Sequence, residues 1–69
     1  MDNDYAKAVE WYTKAAEQRY CYGQNNLGRC YEKGHGVMRS IVKAKRMYAL
    51  AKAQGHEAAQ RSLERLGVP

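Results

Sequence analysis

Proline is nearly absent from this chain, phenylalanine is missing altogether, and cysteine occurs only twice. The single proline is the last residue, Pro69, so no proline interrupts a helix in the interior. Helix-forming Ala, Lys, Glu, Gln, Arg and Leu are common instead, which predicts an all-α fold. A chain of 69 residues has room for one domain, and a core of that size rarely supplies more than about 3–5 kcal/mol unaided.

For the chain as given, we expect neither a membrane-spanning segment nor a signal peptide. No apolar run approaches the roughly 20 residues that a membrane span needs, and the first four residues are acidic where a signal peptide is basic and then apolar. Cys21 and Cys30, if both lie on one helix, are separated by about 13 Å, which is too far for a disulfide bond. We therefore expect free thiols and a reducing compartment, with the cytoplasm favoured for the chain as given.

Acidic residues are scarce in the second half of the chain. Residues 1–35 carry five Lys or Arg and five Asp or Glu, whereas residues 36–69 carry seven and two, which accounts for the net charge of +5. Arg39, Lys43 and Arg46 fall within about 60° on a helical wheel and could form a basic stripe for nucleic acid or an acidic partner. Because other basic residues are dispersed, we favour an ordinary solvated surface.

The chain does contain an internal repeat of 36 residues. A displacement by that length superimposes identical residues at helical spacing: Lys7 on Lys43, Ala8 on Ala44, Tyr12 on Tyr48, Ala15 on Ala51, Gln18 on Gln54, Gln24 on Gln60, Leu27 on Leu63 and Arg29 on Arg65. The chain therefore contains two copies of one two-helix unit. We predict a single domain of two units, about 4–39 and 40–69, forming an α-solenoid of four antiparallel helices.

Capping residues and apolar periodicity predict where the helices begin and end. The expected spans are about 4–18, 24–33, 41–54 and 57–66. Asp2, Asn3 and Asp4 are cap residues for the first helix, and Ser40 is the cap of the third. Residues 19–23 are expected to form a turn, Gly34-His35-Gly36 to end the second helix, and Gly55 to stop the third.

The same periodicity predicts the inward faces of the helices. They comprise Tyr5, Ala8, Trp11, Tyr12, Ala15 and Arg19 in the first helix, then Gln24, Leu27, Cys30, Tyr31, Ala44, Met47, Tyr48, Ala51, Ala59, Leu63 and Leu66. Gly28 lies mid-helix, where glycine costs about 1 kcal/mol against alanine, so we expect it to admit Trp11. On that packing, Trp11→Ala would cost about 3–5 kcal/mol.

A signature of some fifteen positions runs through the first unit. Its residues are Lys7-Ala8, Trp11-Tyr12, Lys14-Ala15-Ala16-Glu17-Gln18, Gln24, Leu27-Gly28, Tyr31 and Gly34-His35-Gly36-Val37. This signature resembles the Sel-1-like repeat, a relative of the tetratricopeptide repeat, and the resemblance covers nearly the whole chain. The second unit departs from the pattern at Met47, Lys52 and Glu64. Such departures are typical of a terminal repeat, so we expect either the last two repeats of a longer array, which we favour, or a short standalone array.

The resemblance implies a non-catalytic scaffold or adaptor that binds other proteins. In helical-repeat arrays the first helix of each unit usually lines the partner side. The candidate contact residues are therefore the outward ones of the first and third helices: Glu10, Thr13, Lys14, Glu17, Arg46, Ala49, Leu50 and Ala53. The alternatives are the basic stripe described above and self-association, since Leu50 stands in the third helix where the first has Lys14.

Catalysis, a metal site and a cofactor are not expected from the sequence. Cys21, Cys30, His35 and His56 lack the close spacing of paired zinc ligands. No nucleophile shares a helix face with a base, and the glutamates of the first helix alternate with lysines as solvated helix pairs do.

Overall fold

The computed structural model describes residues 4–67, which fold into four α-helices. They are α1 (Tyr5–Glu17), α2 (Cys21–Lys33), α3 (Ile41–Ala53) and α4 (Glu57–Arg65). Each helix packs on the next one along the chain, and α2 and α3 share the largest contact. The predicted all-α helical-repeat fold is confirmed. The caps expected at Asp2 and Asn3, and the chain end at Val68 and Pro69, lie outside the described residues.

The helix ends follow the capping chemistry of the sequence. The Asp4 side chain accepts a hydrogen bond from the Lys7 amide at 3.2 Å, and Ser40 does the same for the Lys43 amide at 3.2 Å. Gly34 ends α2 with a φ of 72°, a left-handed conformation that glycine adopts without strain. The first helix of each unit is therefore closed by a side-chain cap at its beginning.

The hydrophobic core lies in the second half of the molecule. It comprises Ala44, Tyr48, Ala51, Ala59 and Leu63. On α2, which covers this cluster from the other side, Leu27, Gly28 and Cys30 are also buried. Within α1, by contrast, no residue is fully buried. Among residues 4–67, no helix combines the length and the apolar character that crossing a membrane requires.

The packing of α1 and α2 corrects four expectations. Trp11 is not in the core: its side chain is 72% exposed, so the large cost expected for Trp11→Ala was wrong. Gly28 instead admits Tyr48, since a methyl group there would lie 2.9 Å from that ring. Arg19 is exposed and has a φ of 67° just after the end of α1. Finally, α2 begins at Cys21, so Gly23 lies inside the helix rather than in the turn.

Candidate interaction surfaces and buried polar contacts

A shallow apolar groove runs along the outer face of α3. Its volume is about 540 Å³, and it is lined by Val42, Lys45, Arg46, Ala49, Lys52 and Leu63. Apolar atoms form most of its surface, and three of its six lining side chains are basic. Val42 is 71% exposed, and Leu50, on the same helix, is 46% exposed. An exposed apolar strip with basic neighbours suits a partner with apolar and acidic side chains.

The corresponding surface of α1 is more polar. Lys7, Glu10, Trp11 and Lys14 line a groove of about 250 Å³ there. Glu10, Lys14 and Glu17 are exposed as the sequence predicted, whereas Thr13 is half-buried. In α3 the predicted residues Arg46, Ala49, Leu50 and Ala53 are all exposed. Of the eight, two line the α1 groove and two line the α3 groove.

The residues of the predicted basic stripe make contacts within the chain. Arg39 donates a hydrogen bond from Nε to the backbone oxygen of Glu32 at 3.0 Å, close to the end of α2. Lys43 lies over the Tyr31 ring at 5.5 Å from its centre. Arg46 borders the α3 groove. The three side chains therefore have three different surroundings.

Glu32 links α2 to α3 and α4, a contact that the sequence did not predict. The Tyr48 hydroxyl donates a hydrogen bond to Glu32 Oε1 at 2.7 Å. Arg65 donates two more, at 2.5 and 3.0 Å, to the two oxygens of the same carboxylate. Bidentate charge-assisted hydrogen bonds of this kind are strong and directional. Glu32 of α2 is thus held by both α3 and α4.

These contacts shift the ionisation of the groups that make them. Arg65, through its hydrogen bonds, lowers the pKa of the Glu32 carboxyl to about 2; burial opposes this shift and the Tyr48 hydroxyl adds to it. Burial, with the hydrogen bond to Glu32, raises the pKa of Tyr48 to about 12. At neutral pH the carboxylate is therefore charged and the phenol is protonated, which is the pair of states that the hydrogen bond requires.

The lowered pKa of Glu32 predicts an acid-dependent loss of stability. The unfolded carboxyl has its ordinary pKa of 4.5 and the folded one about 2, so the stabilisation is complete above the first value and disappears as the pH falls towards the second. Melting temperatures at several pH values test this. The difference between the parent and Glu32→Gln should shrink between pH 4.5 and 2, whereas Glu64→Gln, an exposed change on α4, should show no such trend. A constant difference for Glu32→Gln would contradict the prediction.

The first residue of α2 and the residue before α4 form a second polar contact. Cys21 Sγ lies 3.5 Å from His56 Nδ1, and both residues are half-buried. The expectation that no nucleophile shares a helix face with a base does not cover this contact, because the two residues are 35 positions apart in sequence and belong to different elements. Neither residue lines any of the grooves above. Among the described residues, no group of three or more His, Cys, Asp or Glu side chains is placed to hold a metal.

The two thiols are predicted to differ in reactivity. Both cysteines are free; Cys30 is buried, and burial raises the pKa of its thiol, with Arg29 opposing the shift. Cys21 is half-buried at the first residue of α2. We expect a thiol reagent to modify Cys21 first and Cys30 only on opening of the fold. In stopped-flow titration the fast phase should vanish in Cys21→Ser; a fast phase that survives would refute the assignment.

The four packed helices and the 36-residue sequence repeat place the chain in a class, the helical-repeat proteins. The family comparison is more specific: the Sel1 repeat matches residues 1–20 and 21–56. The chain belongs to the Sel1 repeat family, and Sel1 repeats are helical protein-interaction modules. Our division into units of about 4–39 and 40–69 stays a prediction.

One curated relative is similar over most of this chain. Over 63 residues the chain is 44% identical to rat (Rattus norvegicus) DAP3-binding cell death enhancer 1. The alignment covers 91% of this chain and 12% of that protein, so the chain spans about an eighth of its length. No solved structure matched the chain.

Proposed function

We propose that this chain is a non-catalytic scaffold module that binds a partner protein through the α3 groove. The observation that carries the proposal is the exposure of Val42 and Ala49 in an apolar groove whose charged lining residues, Lys45, Arg46 and Lys52, are all basic. A solvated helix face normally carries polar side chains, whereas a binding face exposes apolar ones. The relative named for its binding of DAP3 supports a protein as the partner.

The partner chemistry follows from the lining of the groove. Ala49 leaves room for a side chain of the partner, and the neighbouring Val42 and Leu63 offer it apolar contact. Acidic side chains of the partner would lie near the three basic groups. An amphipathic helix with a narrow apolar stripe and acidic flanks meets both requirements. On α1, the exposed Trp11 lies beside Glu10 and Lys14 in a separate groove, and tryptophan is a frequent anchor at interfaces.

Charge placement in the groove tests this proposal. Ala49→Glu introduces a carboxylate into the apolar floor at an exposed helical position, where glutamate is nearly as compatible with the helix as alanine. Ala58→Glu makes the same change at an exposed position on α4 outside the groove. Proximity labelling in cells, followed by affinity measurement with each purified partner, compares the two. We expect Ala49→Glu to weaken partner binding about ten-fold or more, and Ala58→Glu to leave it unchanged.

Equal retention of partners by both variants would refute the α3 groove as the binding site.

The rival hypothesis of a nucleic-acid surface at Arg39, Lys43 and Arg46 is tested by titration with an oligonucleotide at two salt concentrations. Binding that falls steeply with salt would support that rival, and no binding at either concentration would remove it. Self-association through the face of Leu50 stays a prediction, which Leu50→Lys and sedimentation would test.

A further inference from the structure

Cys21 and His56 bring a nucleophile and a base together at the starts of α2 and α4. The Cys21 sulfur lies 3.5 Å from Nδ1 of His56. Both side chains are half-buried, so the thiol is held by its neighbours and is still reached by solvent. In the tautomer that carries its proton on Nε2, Nδ1 is able to accept the thiol proton. This is the geometry in which a neighbouring base activates a nucleophile.

The backbone around this contact favours a negative charge on the sulfur. Cys21 is the first residue of α2, and within the described chain neither α2 nor α4 has a side-chain hydrogen bond at its N-cap. In α1 and α3, by contrast, Asp4 and Ser40 each accept a hydrogen bond from the first turn. The amide groups of an uncapped first turn, together with the helix dipole, attract an anion. The thiolate is such an anion, and it is the reactive form of cysteine.

A buried acceptor lies on the same face of α2 as the thiol. Asn25 follows Cys21 by four residues, which is one turn of the helix. It is 7% exposed, and its Oδ1 accepts no hydrogen bond from residues 4–67. Helical side chains lean towards the amino end, which places this acceptor on the side of Cys21. An unpaired buried acceptor costs free energy, and an N–H donor on a group attached to the sulfur would remove that cost.

We propose that Cys21 and His56 form a site of reversible S-thiolation, at which Cys21 exchanges with a low-molecular-weight disulfide that carries N–H groups. His56 Nδ1 accepts the thiol proton while Cys21 Sγ attacks one sulfur of the disulfide. A new S–S bond forms, the old one breaks, and the departing thiolate takes the proton from His56. One thiol and one disulfide thus become one mixed disulfide and one small thiol. An excess of the small thiol reverses the exchange. The site is separate from the α3 groove, and neither proposal depends on the other.

Glutathione disulfide serves as the probe, because it carries amide N–H groups. It is mixed with the intact 69-residue chain near neutral pH, and mass spectrometry follows the adduct on each cysteine. The same chain unfolded in urea gives the reference rate of an exposed thiol. Although Cys21 is half-buried, we expect it to react about ten-fold faster in the folded chain than in urea. Cys30, which is buried, should react more slowly in the folded chain than in urea.

Two histidine variants separate a base from a structural contact. His56→Gln removes the base and keeps a polar side chain, so it should slow the reaction of Cys21 about ten-fold. If His56 only covered the thiol, its replacement would instead raise the rate. His35→Gln is the matched control, since it changes the other histidine, which stacks on Tyr5 at 4.2 Å, and it should leave the rate unchanged. The Cys30 rate should keep its parent value in both variants, because it rises when the fold opens.

The stability of the adduct tests the contribution of Asn25. Asn25→Leu keeps a side chain of similar size and removes the acceptor. In buffers with fixed ratios of glutathione to its disulfide, we expect the equilibrium constant for the Cys21 adduct to fall about three-fold in this variant. Asn26→Leu makes the same change at the next position, which is half-buried and points to a different side of the helix. It should leave the constant unchanged.

Three results would overturn the proposal. The first is a Cys21 rate in the folded chain that does not exceed the rate in urea, which would make Cys21 an ordinary half-buried thiol; this comparison needs no variant. The second is an unchanged or higher Cys21 rate in His56→Gln, which would leave His56 a covering side chain. The third is an adduct whose stability does not change in Asn25→Leu, or changes equally in Asn26→Leu, which would remove the buried acceptor from the site.

Discussion

Tyr48→Ala is expected to cost about 3–5 kcal/mol and to leave most of the chain unfolded at room temperature. Tyr48 is the largest fully buried side chain of the described residues, with no exposed surface. Its ring fills the space against Gly28, and its hydroxyl donates to Glu32 at 2.7 Å. Removal leaves a cavity between α2 and α3 and a carboxylate with one donor fewer. A domain of this size has about that much stability in total. Circular dichroism and urea denaturation measure the loss.

Two further variants measure separate contributions. One tests the hydroxyl of Tyr48, and the other tests the corresponding tyrosine of the first unit. Tyr48→Phe keeps the packing and removes one hydrogen bond, so it should cost about 1 kcal/mol. Tyr12→Ala truncates the corresponding tyrosine of the first unit, which is half-buried, and should cost about 1–2 kcal/mol. If Tyr12→Ala destabilised the chain as much as Tyr48→Ala, the two units would contribute equally to the core, contrary to the burial described above.

Local sequence rules were sufficient for the helices, apart from the start of α2, and for the core of the second unit. The predicted inward orientation of Ala44, Tyr48 and Ala51 is correct. The three residues lie along one face of α3, and both α2 and α4 pack on that helix. The ends of α3 follow from Ser40 and Gly55, whose capping roles depend on neighbours within four residues. Properties that depend on nearby residues were therefore predictable.

Contacts between helices were less predictable. A wheel places Trp11 beside Ala8 and Tyr12, but it cannot show whether another helix covers that part of the stripe. The corresponding residue of the second unit, Met47, is half-buried, whereas Trp11 is exposed. Gly28 could have admitted either aromatic residue, and the choice depends on which helices pack together.

Part of the Glu32 contact was visible in the sequence, and part was not. The repeated Tyr48 and Arg65 are among the residues that coincide with Tyr12 and Arg29 after the 36-residue displacement. The acceptor gave no such signal, because Val68 stands at the position that corresponds to Glu32. The contact between Cys21 and His56 was not predicted for the same reason: it joins the first residue of α2 to the residue before α4, and neither residue is repeated after 36 positions. Pairs of this kind become apparent only when the units are stacked.

Gly23→Ala is expected to destabilise the chain by about 1–2 kcal/mol although alanine favours a helix. A methyl group at position 23 would come within 2.5 Å of the Ala15 Cβ, and it would also lie 3.1 Å from the backbone nitrogen of Ala16. Both contacts are with α1 itself rather than with a flexible side-chain end, so α1 and α2 must move apart. Such overpacking typically costs about 1–3 kcal/mol, which exceeds the gain of about 1 kcal/mol in helix propensity.

A compensating variant tests whether this close approach of α1 and α2 is the cause. Ala15→Gly alone should cost about 1 kcal/mol through helix propensity. Combined with Gly23→Ala, it removes the methyl group that causes the closest contact, so the double variant should be more stable than the sum of the single losses by about 1–2 kcal/mol. Denaturation of the four proteins measures this coupling. Simple additivity would mean that α1 relaxes freely around position 23, and that the first hairpin is held together by contacts other than the Ala15–Gly23 approach.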